Sequence, residues 1–216
     1  MNAGPTPADA AEILSDISAE QRRAQTALGP DPRVLYGAWG AAWLLGFLLA
    51  YLACIPADAP FLPLPVALAI AGAALVAAIA ISAVHAIRRG HGTRGPSNIR
   101  GAIYGNAFPL AFIVMGLLGW RLIALGTPAD AMLAYWTTAT CLIIGGLGIA
   151  GAALWNDRGQ LVFSAWVLLL GAIAAWIPAP RILLVGAAAG LGFLVLAAVA
   201  GARPELLHGP IAGSRG

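Results

Sequence analysis

Charge falls on this chain in short bursts, and long apolar runs separate them. After Arg33 no charged residue occurs until Asp58, and no Asp, Glu or Lys lies deep in any later run. Six apolar runs follow one another, at about 32–54, 63–87, 101–124, 131–155, 161–177 and 182–202. Each has roughly 17–25 residues, the length a helix needs to cross about 30 Å of hydrocarbon. Helices are the required form, because backbone groups in lipid must be paired within their own segment. The pattern predicts an all-α, polytopic membrane helix bundle of six transmembrane helices over residues 32–202. A cytosolic stretch, 1–31, precedes the bundle, and a cytosolic tail, 203–216, follows it.

The periodicity before the first run is different. Residues 6–28 predict a short amphipathic helix outside the membrane. Thr6 can cap it, Pro7 suits its first position, and Asp9 completes a T-x-x-D capping box. Asp9, Glu12 and Asp16 come early and Arg22 and Arg23 late, as the helix dipole favours. Ala10, Leu14, Ile17, Gln21, Ala24 and Leu28 share one face. Gly29 and Pro30 end the helix, and Asp31-Pro32 starts the next one by the same logic of cap and proline.

Composition places the chain in lipid. Of 216 residues, 60% are hydrophobic and 10% charged, whereas a soluble domain carries roughly 25% charged residues. The net charge is +3 and all twelve basic residues are Arg. They sit at the ends of apolar runs rather than on one face, which argues against a nucleic-acid partner. Cys54 and Cys141 have neither disulfide-framework nor metal-ligand spacing. The polar N-terminus does not read as a secretory signal.

The arginines predict an orientation. With six spans, ten lie on one side: Arg22, Arg23, Arg33, Arg88, Arg89, Arg94, Arg100, Arg158, Arg203 and Arg215. Only Arg121 and Arg181 lie on the other. The positive-inside rule then puts both termini in the cytoplasm. Trp120, Tyr135, Trp136 and Trp176 would line the outer interface, and Trp39, Trp155 and Trp166 the inner one. A faint repeat, "AWLLGFLLAYLACIPA" (42–57) against "AWVLLLGAIAAWIPA" (165–179), suggests three helical hairpins. Pro-Ala-Asp stops between helices account for part of it.

Several groups of residues could carry a function. Asn106 and Pro109, in "GNAFP", put an amide and a broken hydrogen-bond ladder inside the third span. They would line a solute path, or form an interhelical bond and a kink. Thr137, Thr138 and Thr140 make a polar patch in the fourth span, either lining a cavity or bonding back to their own helix. Gly101 with Gly105 and Gly186 with Gly190 are G-x-x-x-G pairs suited to close helix packing. Arg88, Arg89, Arg94 and Arg100 bracket a Gly-rich loop that would contact anionic headgroups, or simply hold the loop inside. The acidic balance of residues 6–28 disfavours anionic lipid and favours a protein partner for that helix.

Familiar chemistry is missing. Ion-coupled carriers place ionisable residues deep in their spans. The sequence also has no H-E-x-x-H and no phosphate-cradling loop. Nothing calls for a cofactor or a metal. "PDPRVLYGAWGAAWLLGF", following "AEQRRA", resembles a group of uncharacterised actinobacterial multi-pass membrane proteins over roughly residues 20–47. The resemblance implies a bacterial inner (plasma) membrane and no particular activity. The expectation is a non-enzymatic membrane subunit that acts by helix packing and partner binding, as a homo-oligomer or with another protein. The alternatives are a small permease for a neutral or lipophilic solute and a lipid-acting enzyme.

Overall fold

The computed structural model describes residues 12–17, 20, 31–55, 58, 60–90, 96–207. Most of the expected helix over 6–28 lies outside these residues, as do Arg94 and the tail beyond 207. Residues 12–17 are helical and exposed. Among the described residues there is no strand, and the chain is an all-α membrane helix bundle. Its helices are α1 (Pro32–Leu52), α2 (Leu64–Gly90), α3 (Pro96–Ala124), α4 (Ala129–Trp155), α5 (Arg158–Ala174) and α6 (Leu183–Ala202), followed by a 3-10 turn, Pro204–Leu206.

Local chemistry sets the helix ends. Asp31 is the N-cap of α1, its side chain accepts from the Arg33 N–H, and Pro32 takes the first helical position. After α3 the chain turns at Gly126, whose φ of 79° is a left-handed conformation that suits glycine. Asn156 closes α4 in the same region at φ 53°, where asparagine is tolerated. Asp157 then caps α5 by accepting from the Gln160 N–H. Pro204 stops α6 from continuing.

Among the described residues five helices are long and apolar enough to cross a membrane, and α5 is the exception with 17 residues. At 1.5 Å per residue α5 spans about 26 Å, a few ångströms short of a typical hydrocarbon core. It is also among the best-packed helices, with Val167 and Ala174 wholly buried. The third helix starts at Pro96, earlier than the apolar run alone suggests, because its first turn is polar.

The strongly packed pairs run α2–α1–α6–α5–α4–α3. The core lies where α1, α5 and α6 meet, around Trp43, Phe163, Val167, Leu170, Leu183 and Phe193. Glycines bring the helices together. A methyl placed on Gly190 would sit 2.5 Å from the backbone nitrogen of Leu44, and one on Gly40 would sit 2.9 Å from that of Leu194. Only a hydrogen side chain permits so close an approach, which is how helices gain contact in lipid. The helices α2 and α3 bury least of their surface, and α6 most.

Candidate functional site

Polar side chains gather at the arginine-rich end of the bundle. Gln160, in the first turn of α5, donates from Nε2 to the Tyr104 hydroxyl of α3 at 2.7 Å. Gly151 of α4 lies directly under both groups, where any Cβ would strike them. One turn deeper, Ser164 is fully buried and donates from Oγ to the Gln160 carbonyl at 2.6 Å. Gly148 leaves the space that the Ser164 hydroxyl fills. The Tyr104 ring stands edge-on to Trp155 at 4.7 Å and to Phe108 at 5.2 Å. Beside it, Tyr36 leans on Phe163 and Phe193, whose ring centroids are 3.8 Å apart. This is a hydrogen-bonded and aromatic seam that joins α1, α3, α4, α5 and α6. It fixes the helices against one another.

Sequence reasoning missed this seam. Gln160 and Ser164 are polar residues four apart in a short apolar helix, a spacing that puts both on one face. That signal was available. The partner Tyr104 was not predictable, because it comes from a helix distant in the chain.

The residues expected to line a solute path do not converge. Asn106 is exposed and donates from Nδ2 to the Ala102 carbonyl of its own helix at 2.8 Å, so it makes no described bond to another helix. Pro109 is exposed as well. Thr137 is buried, and the Thr138 Oγ1 is buried without a hydrogen-bond partner. The described threonine hydrogen bond runs from Thr140 Oγ1 to Met115 Sδ at 3.8 Å. Beside it the Tyr135 hydroxyl donates to the Met115 carbonyl at 2.6 Å. The threonine patch thus serves contacts of α4 with its neighbours.

The two glycine pairs part company. Gly186 meets the Phe47 ring and Gly190 meets Leu44, both of α1. A Cβ on Gly101 or Gly105 would meet nothing within 4 Å. Those two face open space on a flank of α3, so among the described residues their spacing serves no helix packing. Among the loop arginines, Arg88 and Arg100 are exposed and Arg89 is half-buried.

The same end holds an electrostatic and hydrogen-bonded latch. Asp31 pairs with Arg33 at 2.8 Å. Its hydrogen bond from Arg33 holds the carboxyl below the usual carboxylate range, against a smaller opposing effect of burial. The Asp31 backbone N–H donates to His85 Nε2 of α2 at 2.9 Å. Deeper, Trp39 Nε1 donates to the Ser82 hydroxyl at 3.0 Å.

A cleft of about 390 Å³ opens between α5, α6 and the 3-10 turn, lined by Arg158, Gly159, Val162, Leu196, Val199, Leu206 and Leu207. No group of three or more His, Cys, Asp or Glu suited to a metal ion occurs among the described residues. Comparison with family models, curated proteins and solved structures returns no match.

Proposed function

We propose that the protein is a non-enzymatic membrane subunit that offers α3 to the transmembrane helix of a partner. One observation carries the reading. The small-residue flank of α3 at Gly101 and Gly105 faces open space, while the equivalent pair in α6 is filled by α1. A lone helix in lipid gains nothing from glycine, which costs about 1 kcal/mol against alanine in a helix interior. A second helix does gain, because small residues let the two backbones approach. The exposed apolar side chains Ile13, Leu14 and Ile17 make the N-terminal segment a second docking element. The arginine distribution supports a bacterial plasma membrane setting with both termini in the cytoplasm.

Extraction from native membranes in mild detergent tests the reading. The wild-type chain is expected to carry a neighbour that Gly101→Leu/Gly105→Leu loses, with helical content and thermal midpoint unchanged. Equal co-purification by both chains would overturn the role of α3. Deletion of residues 1–28 asks the same question of the N-terminal element.

A further inference from the structure

The cleft between α5, α6 and the C-terminal turn has an uneven chemistry. Arg158 lines it together with the apolar side chains of Val162, Leu196 and Val199, of which Leu196 is buried and Val162 exposed. Its volume, about 390 Å³, lies in the range of ordinary small-molecule sites, roughly 300–1,000 Å³. The turn closes one side, since the Gly159 N–H donates to the Leu207 carbonyl at 3.3 Å. The closure is therefore tied to the helix rather than draped over it.

The arginine is misplaced by the standards of its own helix. It occupies the first position of α5, where the backbone dipole is already positive and favours an anion. The neighbouring Asp157 carboxylate is occupied in capping the Gln160 N–H at 3.0 Å. Among the described residues Arg158 makes no ion pair. A cation over an apolar slot, at the depth where helices enter and leave the bilayer, is complementary to one kind of molecule. That molecule has an anionic head and a hydrocarbon chain.

We propose that this cleft binds an anionic phospholipid, with the phosphate at Arg158 and one acyl chain along Val162, Leu196 and Val199. The guanidinium suits a phosphate because its fork matches two oxygens at once. The apolar walls contribute contact rather than specificity.

The test is native mass spectrometry of the full chain in detergent, with phosphatidylglycerol, phosphatidylcholine and inorganic phosphate as probes. Wild type is expected to retain phosphatidylglycerol in preference to phosphatidylcholine. Arg158→Gln should lower retention about tenfold, the loss of one charge-assisted contact. Val162→Trp, which fills the slot and leaves the charge, should lower it as well. If Arg158→Gln does not fold, Val162→Trp decides alone. Arg121→Gln, at an exposed arginine outside the cleft, should leave retention unchanged. Equal retention of phosphatidylcholine by wild type, or unchanged retention of phosphatidylglycerol by Val162→Trp, would overturn the proposal. So would an equal loss in Arg121→Gln, which would mean general attraction of lipid to positive charge. Displacement of phosphatidylglycerol by inorganic phosphate would assign the site to a free anion and overturn the lipid reading.

Discussion

The Asp31 backbone N–H donates to His85 Nε2 across 2.9 Å, joining the first residue before α1 to the last turns of α2. An imidazole nitrogen accepts only with its lone pair free. His85→Ala removes that acceptor, so amide exchange at Asp31 should speed up in the variant, an effect of about 1 kcal/mol. The Asp31 carboxylate, Arg33 and Arg89 share this corner. A carboxyl held below its unfolded value adds stability above the unfolded range and loses it as pH falls through the folded one. A loss of stability at this corner is thus expected as pH falls below the ordinary carboxylate range.

The closest helix approach gives a sharper prediction. Gly190→Ala puts a methyl against the Leu44 backbone, which cannot rotate away. It should destabilise the bundle by about 1–3 kcal/mol. Gly101→Ala and Gly105→Ala meet nothing within 4 Å and should leave the isolated chain unchanged or slightly more stable. Thermal unfolding in one detergent, followed by circular dichroism, compares the three.

The bond between Gln160 and Tyr104 can be weighed by a double-mutant cycle. Tyr104→Phe removes the hydroxyl and leaves the buried end of Gln160 without its partner. The coupling in the Tyr104→Phe/Gln160→Leu cycle is expected at about 0.6–1.7 kcal/mol, the span for interhelical side-chain bonds in membranes. A coupling near zero would mean that water or lipid headgroups replace the bond.

Thr138 offers a change in the opposite direction. Its Oγ1 is buried with no hydrogen-bond partner. Thr138→Val keeps the branched shape and removes the orphaned hydroxyl, so it should be neutral or stabilising. Thr140→Val breaks a contact to the Met115 sulfur, a weak acceptor, and should cost a few tenths of a kcal/mol. A clear loss in Thr138→Val would mean that the hydroxyl is satisfied by something bound there.

Much of the fold was legible because its signals are local. Asp31-Pro32 starts α1 where a cap followed by proline must, and uncharged runs of span length mark the helices. Which face packs on which helix is not local. The Gly186–Gly190 and Gly101–Gly105 pairs have the same spacing, yet one presses on Leu44 and the other faces open space. Asn106 misled for the same reason: an amide in an apolar run can satisfy itself one turn back, at Ala102. The repeat also stops at the sequence. Trp43 is buried in the core, whereas its counterpart Trp166 is 41% exposed and lies over Gly192. The Arg158 cleft left no mark, since a return of the tail to α5 through Leu207 has no local signature.

The partner against which α1 packs most extensively is α6. During synthesis α1 leaves the ribosome ahead of α2 to α6, and the residues that seal Gly40, Leu44 and Phe47 come only with α6. A chain halted anywhere before residue 183 would leave that seam open in the bilayer. Release from the insertion machinery should therefore wait for α6, and chains truncated before α6 should be degraded rather than accumulate.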